Sequence, residues 1–216
     1  SITFTNTNAL RSGGSRNSNE RGLDINLFDK NNQYNFTWGA RYSNITGANT
    51  YGGYANYLQF AKVSGNWQYS LSNTIESEKY DPNDLGYLKS PNEFSAIGKI
   101  GYYVFTPTKN FISQNFSISV LPTYLYTPFK FSSLLLKGSG FWVFRNFWDI
   151  NLSAYYQPVW QQDFFEMRTP GKSLKRPPFW YTGINGSSDS RNSFFIRYTL
   201  GIAEAPNFPL DSYNNI

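Results

Sequence analysis

Apolar and polar residues alternate one by one through most of this chain, and a period of two restricts it to extended strands. Tyr34, Phe36, Trp38, Ala40 and Tyr42 share one face of an extended segment, with Asn35, Thr37, Gly39 and Arg41 on the other. Successive side chains of a strand point to opposite faces, so such a segment has one apolar and one polar side. Trp67, Tyr69, Leu71 and Ile75 repeat the design against Gln68, Ser70, Ser72, Thr74 and Glu76. So do Phe116, Ile118 and Val120 against Ser117 and Ser119, and Trp148, Ile150, Leu152, Ala154 and Tyr156 against Asp149, Asn151 and Ser153. Phe194, Ile196, Tyr198, Leu200 and Ile202 close the series. Helical periodicity is hard to find. The pattern predicts strands near 2–8, 21–29, 34–42, 53–63, 66–76, 93–105, 111–126, 131–144, 147–157, 178–187 and 192–203.

Composition narrows the chemistry. The 216 residues include no cysteine and no histidine, so disulfides, thiol nucleophiles, Cys-ligated metals and the Ser-His-Asp triad are excluded. Charged residues make up 15% and aromatic residues 19%, the reverse of a disordered chain. No run approaches the roughly 18–20 apolar residues of a membrane-spanning helix. The sequence opens at Ser1 without a methionine, which reads as a processed protein or a piece of a longer one. Net charge is +5, but the basic residues are scattered, and the one cluster, Arg168, Lys172, Lys175 and Arg176, reads as a solvated loop rather than a phosphate track. Nucleic acid is not an expected partner.

Strand length and connection length choose between two all-β architectures. Several strands reach the roughly 9–11 residues that cross a bilayer, above the usual mode of about five or six. Short connections at 29–33, 62–66, 106–110, 145–146 and 187–191 alternate with longer ones at 9–20, 43–52, 77–92 and 159–177, with only 127–130 out of order. Outer-membrane barrels sort their loops this way. A soluble sandwich also alternates but has no reason to sort its loops. Tyr34, Trp67, Trp142 and Trp148 stand by short connections and Tyr42, Tyr126 and Tyr156 by long ones, where amphipathic rings suit a membrane interface. The expected fold is an all-β antiparallel transmembrane outer-membrane β-barrel occupying 1–216. Phe36, Leu71, Ile118, Ile150 and Ile196 would face lipid. Eleven strands are odd, whereas bacterial single-chain barrels have even numbers. The chain therefore reads as part of a larger barrel, or as a barrel with an uncounted strand at 159–169.

Two groups of loop residues carry a family likeness. Tyr80-Asp81-Pro82-Asn83-Asp84-Leu85-Gly86-Tyr87-Leu88 follows Gly65-Asn66-Trp67-Gln68-Tyr69-Ser70, and Arg176-Pro177-Pro178-Phe179-Trp180 precedes Ser187-Ser188-Asp189-Ser190-Arg191. Over roughly 53 to 200 the chain resembles the C-terminal barrel region of large Bacteroidetes-type surface proteins with an N-terminal family-nine-like carbohydrate-binding module. The resemblance implies a bacterial outer-membrane location and a longer parent chain. It carries no functional residue over.

The remaining motifs have plain readings. Asp81, Asn83 and Asp84 offer oxygen ligands to Ca²⁺ but lack EF-hand spacing, and such residues also make turns; no metal or cofactor is expected. Gly138-Ser139-Gly140 has no following helix to make a phosphate cradle. Glu76 and Glu93 flank 77–92 and could be read as paired carboxylates for glycoside chemistry, yet no sugar cleft accompanies them and no enzyme is expected. Arg41, Glu76, Lys99, Lys137, Asp149 and Arg197 fall on the polar face and are the expected lumen-facing residues, their mixed signs favouring internal pairing. Two functions follow from this expectation. One is a channel or transport component for polar solutes, glycans among them. The other is a non-conducting barrel that anchors or assembles with envelope proteins through its long loops.

Overall fold

In the computed structural model, residues 1–13, 16–88, 90–167 and 171–205 are described. The main sheet has eleven strands, all antiparallel to their neighbours. In order they are β1 (Ile2–Ala9), β2 (Asn17–Phe28), β3 (Tyr34–Thr46), β4 (Tyr51–Lys62), β5 (Trp67–Glu76), β6 (Glu93–Val104), β7 (Phe111–Leu125), β8 (Lys130–Phe144), β9 (Asp149–Gln157), β12 (Phe179–Ser187) and β13 (Arg197–Glu204). Each pairs with the strand before and after it. The segment 159–169, the candidate for an uncounted strand, contributes no strand to the main sheet among the described residues; it holds β10 (Gln161–Asp163), which pairs with β11 (Leu174–Arg176) in a separate hairpin. This hairpin packs against β8, where Ser132 Oγ donates to the Gln162 carbonyl at 2.9 Å. Among the described residues there is no helix, and β1 and β13 are free edges, so the sheet is open.

An antiparallel meander puts alternate connections at the same end of the sheet. The sorting by length is weaker than the sequence suggests, because β2, β3 and β4 run further than expected. The connection at 47–50 is therefore as tight as 63–66, and so is 126–129. The longest, 77–92 and 158–178, share one end with 10–16, 47–50 and 126–129. The opposite end carries 29–33, 63–66, 105–110, 145–148 and the nine residues 188–196, because β13 begins at Arg197 and not near 192, leaving Phe194 and Ile196 outside it. Side chains make the tight turns. Asp29 accepts from the Gln33 and Tyr34 amides at 2.6 and 2.7 Å, while Asn32 (φ 51°) and Gly65 (φ 77°) take left-handed backbone.

Register puts the apolar side chains on one continuous face. Phe36 stands opposite Leu27 and Phe60, Phe60 opposite Leu71, Ile100 opposite Ile118, and Ile184 opposite Leu152 and Leu200. Nothing in the described residues covers this face. Leu71, Ile118 and Leu200 are 65%, 58% and 67% exposed, and among the described residues the buried hydrophobic ones are Ile45, Ala61 and Tyr80, on the other side or in the loop. The charged strand residues on this face are Arg21, Lys62 and Glu204, each toward an end of its strand.

Aromatic rings bound the face at both ends with one repeated spacing. Tyr34 and Tyr42 on β3, Phe116 and Tyr124 on β7, and Trp148 and Tyr156 at β9 each lie eight residues apart, about 26 Å along a strand at ~3.3 Å per residue. Near the short turns Trp67, Tyr102 and Phe116 pack together with ring centroids 5.0–6.0 Å apart. At the other end Phe94, Tyr124, Phe129 and Phe131 cluster, and Tyr54 meets Tyr126. The two aromatic borders are also staggered together. The register carries Tyr34 through Lys62, Tyr69, Ile100, Ile118 and Gly138 to Ala154. The matching border residue, Trp148, lies six positions earlier, and Tyr156 shares that offset through its eight-residue spacing from Trp148. On β7 the displacement is two.

An uncovered apolar face of this extent exceeds what monomers keep in water. Purified without detergent, the chain is expected to sediment as large aggregates and to bind a hydrophobic dye. A dispersed β-sheet monomer in plain buffer, by sedimentation and circular dichroism, would contradict the exposed face.

Candidate functional site

The opposite face is polar, and one long connection folds onto it. Residues 77–92 leave β5 and return across the polar side of β2, β3 and β4. Tyr80 is 7% exposed and its hydroxyl donates to Glu20 Oε1 at 2.7 Å; burial, then that hydrogen bond, push the phenol above its ordinary pKa. The Asp81 amide donates to Ser43 Oγ at 2.9 Å, and Ser43 and Ile45 beneath are 0% and 1% exposed. Gly53 on β4 makes this approach possible, because a Cβ there would run into the backbone of Lys79 and Tyr80. The loop supports itself as well: Asp81 Oδ1 accepts from the Asn83 amide and Asn83 Oδ1 from the Leu88 amide.

Two arginines at the β1–β2 connection clamp the loop. Arg16 donates through Nη2 to Asp81 and through Nε to Asp84, both at 2.6 Å, and through Nη1 to the Tyr51 hydroxyl at 2.7 Å. Arg11 donates to the other Asp84 oxygen at 2.8 Å, and the Tyr51 hydroxyl donates to Asp81 at 2.6 Å. Burial raises the Asp81 carboxyl, but hydrogen bonds from Arg16, Tyr51 and Asn83 outweigh it and hold the group well below the carboxylate range. Asp84 is lowered by Arg16 first and by Arg11. The two aspartates raise the Arg16 guanidinium in return. A cavity of about 470 Å³ opens beside the clamp, lined by Tyr51, Glu78, Lys79, Tyr80, Asp81 and Asn83.

A family model described as "Domain of unknown function (DUF5916)" matches residues 1–214. The chain belongs to the DUF5916 family. No curated protein and no solved structure matches it.

In this DUF5916 chain all six expected lumen residues lie on the polar face, but they do not pair with one another. Arg41 Nη2 donates to both oxygens of Asp24 at 2.8 and 2.9 Å, a pair accommodated by Gly22 and Gly39 on the facing positions. Asp149 accepts from Ser187 Oγ at 2.6 Å. Lys99, Lys137 and Arg197 lie over the rings of Tyr103, Tyr155 and Phe195. Glu76 ends β5 and Glu93 begins β6; since Ile75 faces Phe94, the two carboxylates occupy opposed positions at the neck of the loop. The calcium candidates Asp81 and Asp84 are occupied by guanidinium groups, and among the described residues no three acidic side chains gather for a metal. In the basic cluster, Arg168 lies outside the described residues, and Arg176 pairs with Asp163 at 2.8 Å.

Of the aromatics expected at an interface, Tyr34, Trp67, Trp142 and Trp148 lie toward one end of the sheet and Tyr42, Tyr126 and Tyr156 toward the other. Sequence reasoning missed Arg11, Arg16, Tyr51 and Tyr80. Their only signal is the density of Asp and Asn in 81–84, which marks a loop held by hydrogen bonds without naming donors about 65 residues away.

A carboxylate with a lowered folded pKa adds stability above its unfolded value, about 3.9, and loses it only as pH falls through the folded value. The clamp should therefore hold from neutral pH to below pH ~4 and release in stronger acid. In Arg16→Gln, release should move up to about pH 4. A fluorophore at Tyr87→Cys, in a chain with no other cysteine, reports this by anisotropy. Coincident release in both proteins would refute the clamp. Gly53→Ala should loosen the loop without protonation: overpacking costs on the order of 1–3 kcal/mol, enough for about tenfold faster tryptic cleavage after Lys79.

Proposed function

We propose that this chain is the membrane-spanning sheet of an outer-membrane β-barrel, in which the polar face lines a lumen for polar solutes and residues 77–92 form a constriction within it. The observation that carries this reading is the apolar band between two staggered aromatic borders. The short-turn border drops two residues over the four strand steps from β3 to β7 and six over the six steps to β9, slopes of ~19° and ~35° at about 3.3 Å per residue and 4.8 Å per strand. Membrane barrels tilt their strands by about 35–45°. A strand segment of about 26 Å at that tilt spans ~21 Å, close to the ~25 Å apolar band of such barrels. Charges near the ends of that face and rings at its borders suit the headgroup regions. In hydrocarbon both free edges must be paired, so β1 and β13 close the barrel through strands beyond the eleven. The resemblance to Bacteroidetes-type surface proteins points the same way and would make glycans candidate solutes.

A second reading rests on the clamp itself. A loop fastened across the polar face by Arg11 and Arg16 fits a closed barrel that anchors or assembles with other envelope proteins.

Leu71→Arg tests the membrane and conductance separates the two functions. Leu71 already meets solvent, so in water the substitution is nearly neutral, whereas at mid-bilayer an arginine costs about 2–4 kcal/mol. Folding into lipid vesicles, followed by resistance to denaturant, should weaken by that amount, while Gln68→Arg on the polar face should change it little. Equal effects of the two would overturn the lipid assignment. Current through planar bilayers containing the folded protein supports the channel; silence from an inserted barrel supports the anchor.

A further inference from the structure

We infer that the polar face carries a binding site for small anionic solutes centred on Lys99 and Lys137, which would make the proposed lumen anion-selective; the selectivity rests on the channel reading, whereas the site does not. Between its two ends, the polar face of the main-sheet strands from β5 to β13 has, among the described residues, only these two charged residues. Glu76, Glu93 and Lys130 stand at the long-loop end, Asp149 and Arg197 at the short-turn end. The side chains between are mostly small, hydroxyl or amide groups: Ser70, Ser72, Ser117, Ser119, Ser139 and Ser153 among them.

Register makes the two lysines a pair. Ser70 is opposite Lys99, Lys99 opposite Ser119, Ser119 opposite Lys137, and Lys137 opposite Tyr155. One strand separates them, so their Cα atoms lie about 10 Å apart with a serine hydroxyl between. Each ammonium lies over a tyrosine, Lys99 at 6.0 Å from the Tyr103 ring and Lys137 at 5.7 Å from Tyr155. Neither makes an ion pair with a carboxylate among the described residues, unlike Arg41, Arg16 and Arg11. A cavity of about 150 Å³ reaches Lys99 past Gln59, Gln68 and Ser70. Two uncompensated cations beside hydroxyl donors recruit the anion the protein does not supply, and a solute with two or more carboxylate or phosphate groups can engage both. The Arg41–Asp24 pair is internally neutralised and does not compete.

Two measurements on the full chain decide the matter. In planar bilayers under a potassium chloride gradient, the reversal potential should show chloride preference, and Lys99→Gln with Lys137→Gln should move it toward zero while conductance persists. Current with no anion preference, or a preference the double variant keeps, overturns the anion selectivity and leaves the channel standing. In detergent, calorimetric titration with citrate should show salt-sensitive binding that the double variant weakens by about tenfold or more. Inorganic phosphate and uncharged sucrose are the comparison ligands, phosphate binding more weakly than citrate and sucrose not at all. If no current flows but citrate binding follows the lysines, the site stands and the channel falls. Citrate binding that is absent, or equal in both proteins, overturns the site.

Discussion

Backbone pairing between neighbouring strands has to hold this molecule together, because no second layer covers the apolar face among the described residues. In an ordinary domain, burying apolar area supplies most of the cohesion, about 25 cal/mol per Å². Here Leu71, Ile118 and Leu200 retain more than half their exposure, and a meander gives each main strand only its sequence neighbours as partners. In water such a ladder gains little, since each hydrogen bond replaces one to solvent. In hydrocarbon the same ladder is obligatory, since an unpaired backbone group costs several kcal/mol. The medium therefore decides whether the sheet is marginal or robust.

On the polar side, packing of the usual kind occurs where 77–92 lies across β2 to β4. Ser43, Ile45 and Tyr80, among the least exposed residues, all belong to that contact. Its placement follows from two small features. Gly53 lets backbone approach backbone, and the β1–β2 connection delivers Arg11 and Arg16 to Asp81 and Asp84. Exposed ion pairs are individually weak, but here one guanidinium serves two carboxylates and a tyrosine hydroxyl, and a second arginine shares one of those carboxylates. The loop and the β1–β2 connection are thus held as a unit.

The strands were legible in the sequence because a period of two survives wherever one face meets an apolar surrounding and the other a polar one. Tyr34 to Tyr42 and Trp67 to Glu76 lie within strands as the alternation places them. Strand ends were less legible. Residues 43–46 continue β3 although Ser43, Asn44 and Thr46 look like loop, because Ser43 and Ile45 pack under 77–92. The short β10 was misread for a related reason: Val159-Trp160 and Phe164-Phe165 look like strand residues, yet the pairing at Gln161–Asp163 is with the nearby Leu174–Arg176. The clamp was illegible because its donors and acceptors are far apart in sequence, and ion pairs of that kind leave no periodic trace. Mixed charge on the polar face suggested mutual pairing, but Arg41 chose Asp24 two strand positions off the obvious set, and the two lysines found rings instead.

A second sheet, or a second copy laid face to face, would also cover the apolar residues, so exposure alone does not separate a lipid-facing sheet from half of a sandwich. The borders do. A sandwich core needs interdigitating side chains about 10 Å thick and sets no rule for where aromatic rings fall along each strand. Lipid sets two such rules: rings belong at the two interfaces, and those interfaces are parallel planes that tilted strands cross obliquely. Tyr34 with Tyr42 and Trp148 with Tyr156 fit both, since each pair keeps an eight-residue span and Trp148 lies six residues from the row of Tyr34. The proposed lipid-facing sheet gives the six-residue offset at β9 a cause, whereas a packing partner that merely buried Leu71 and Ile118 sets no place for the rings.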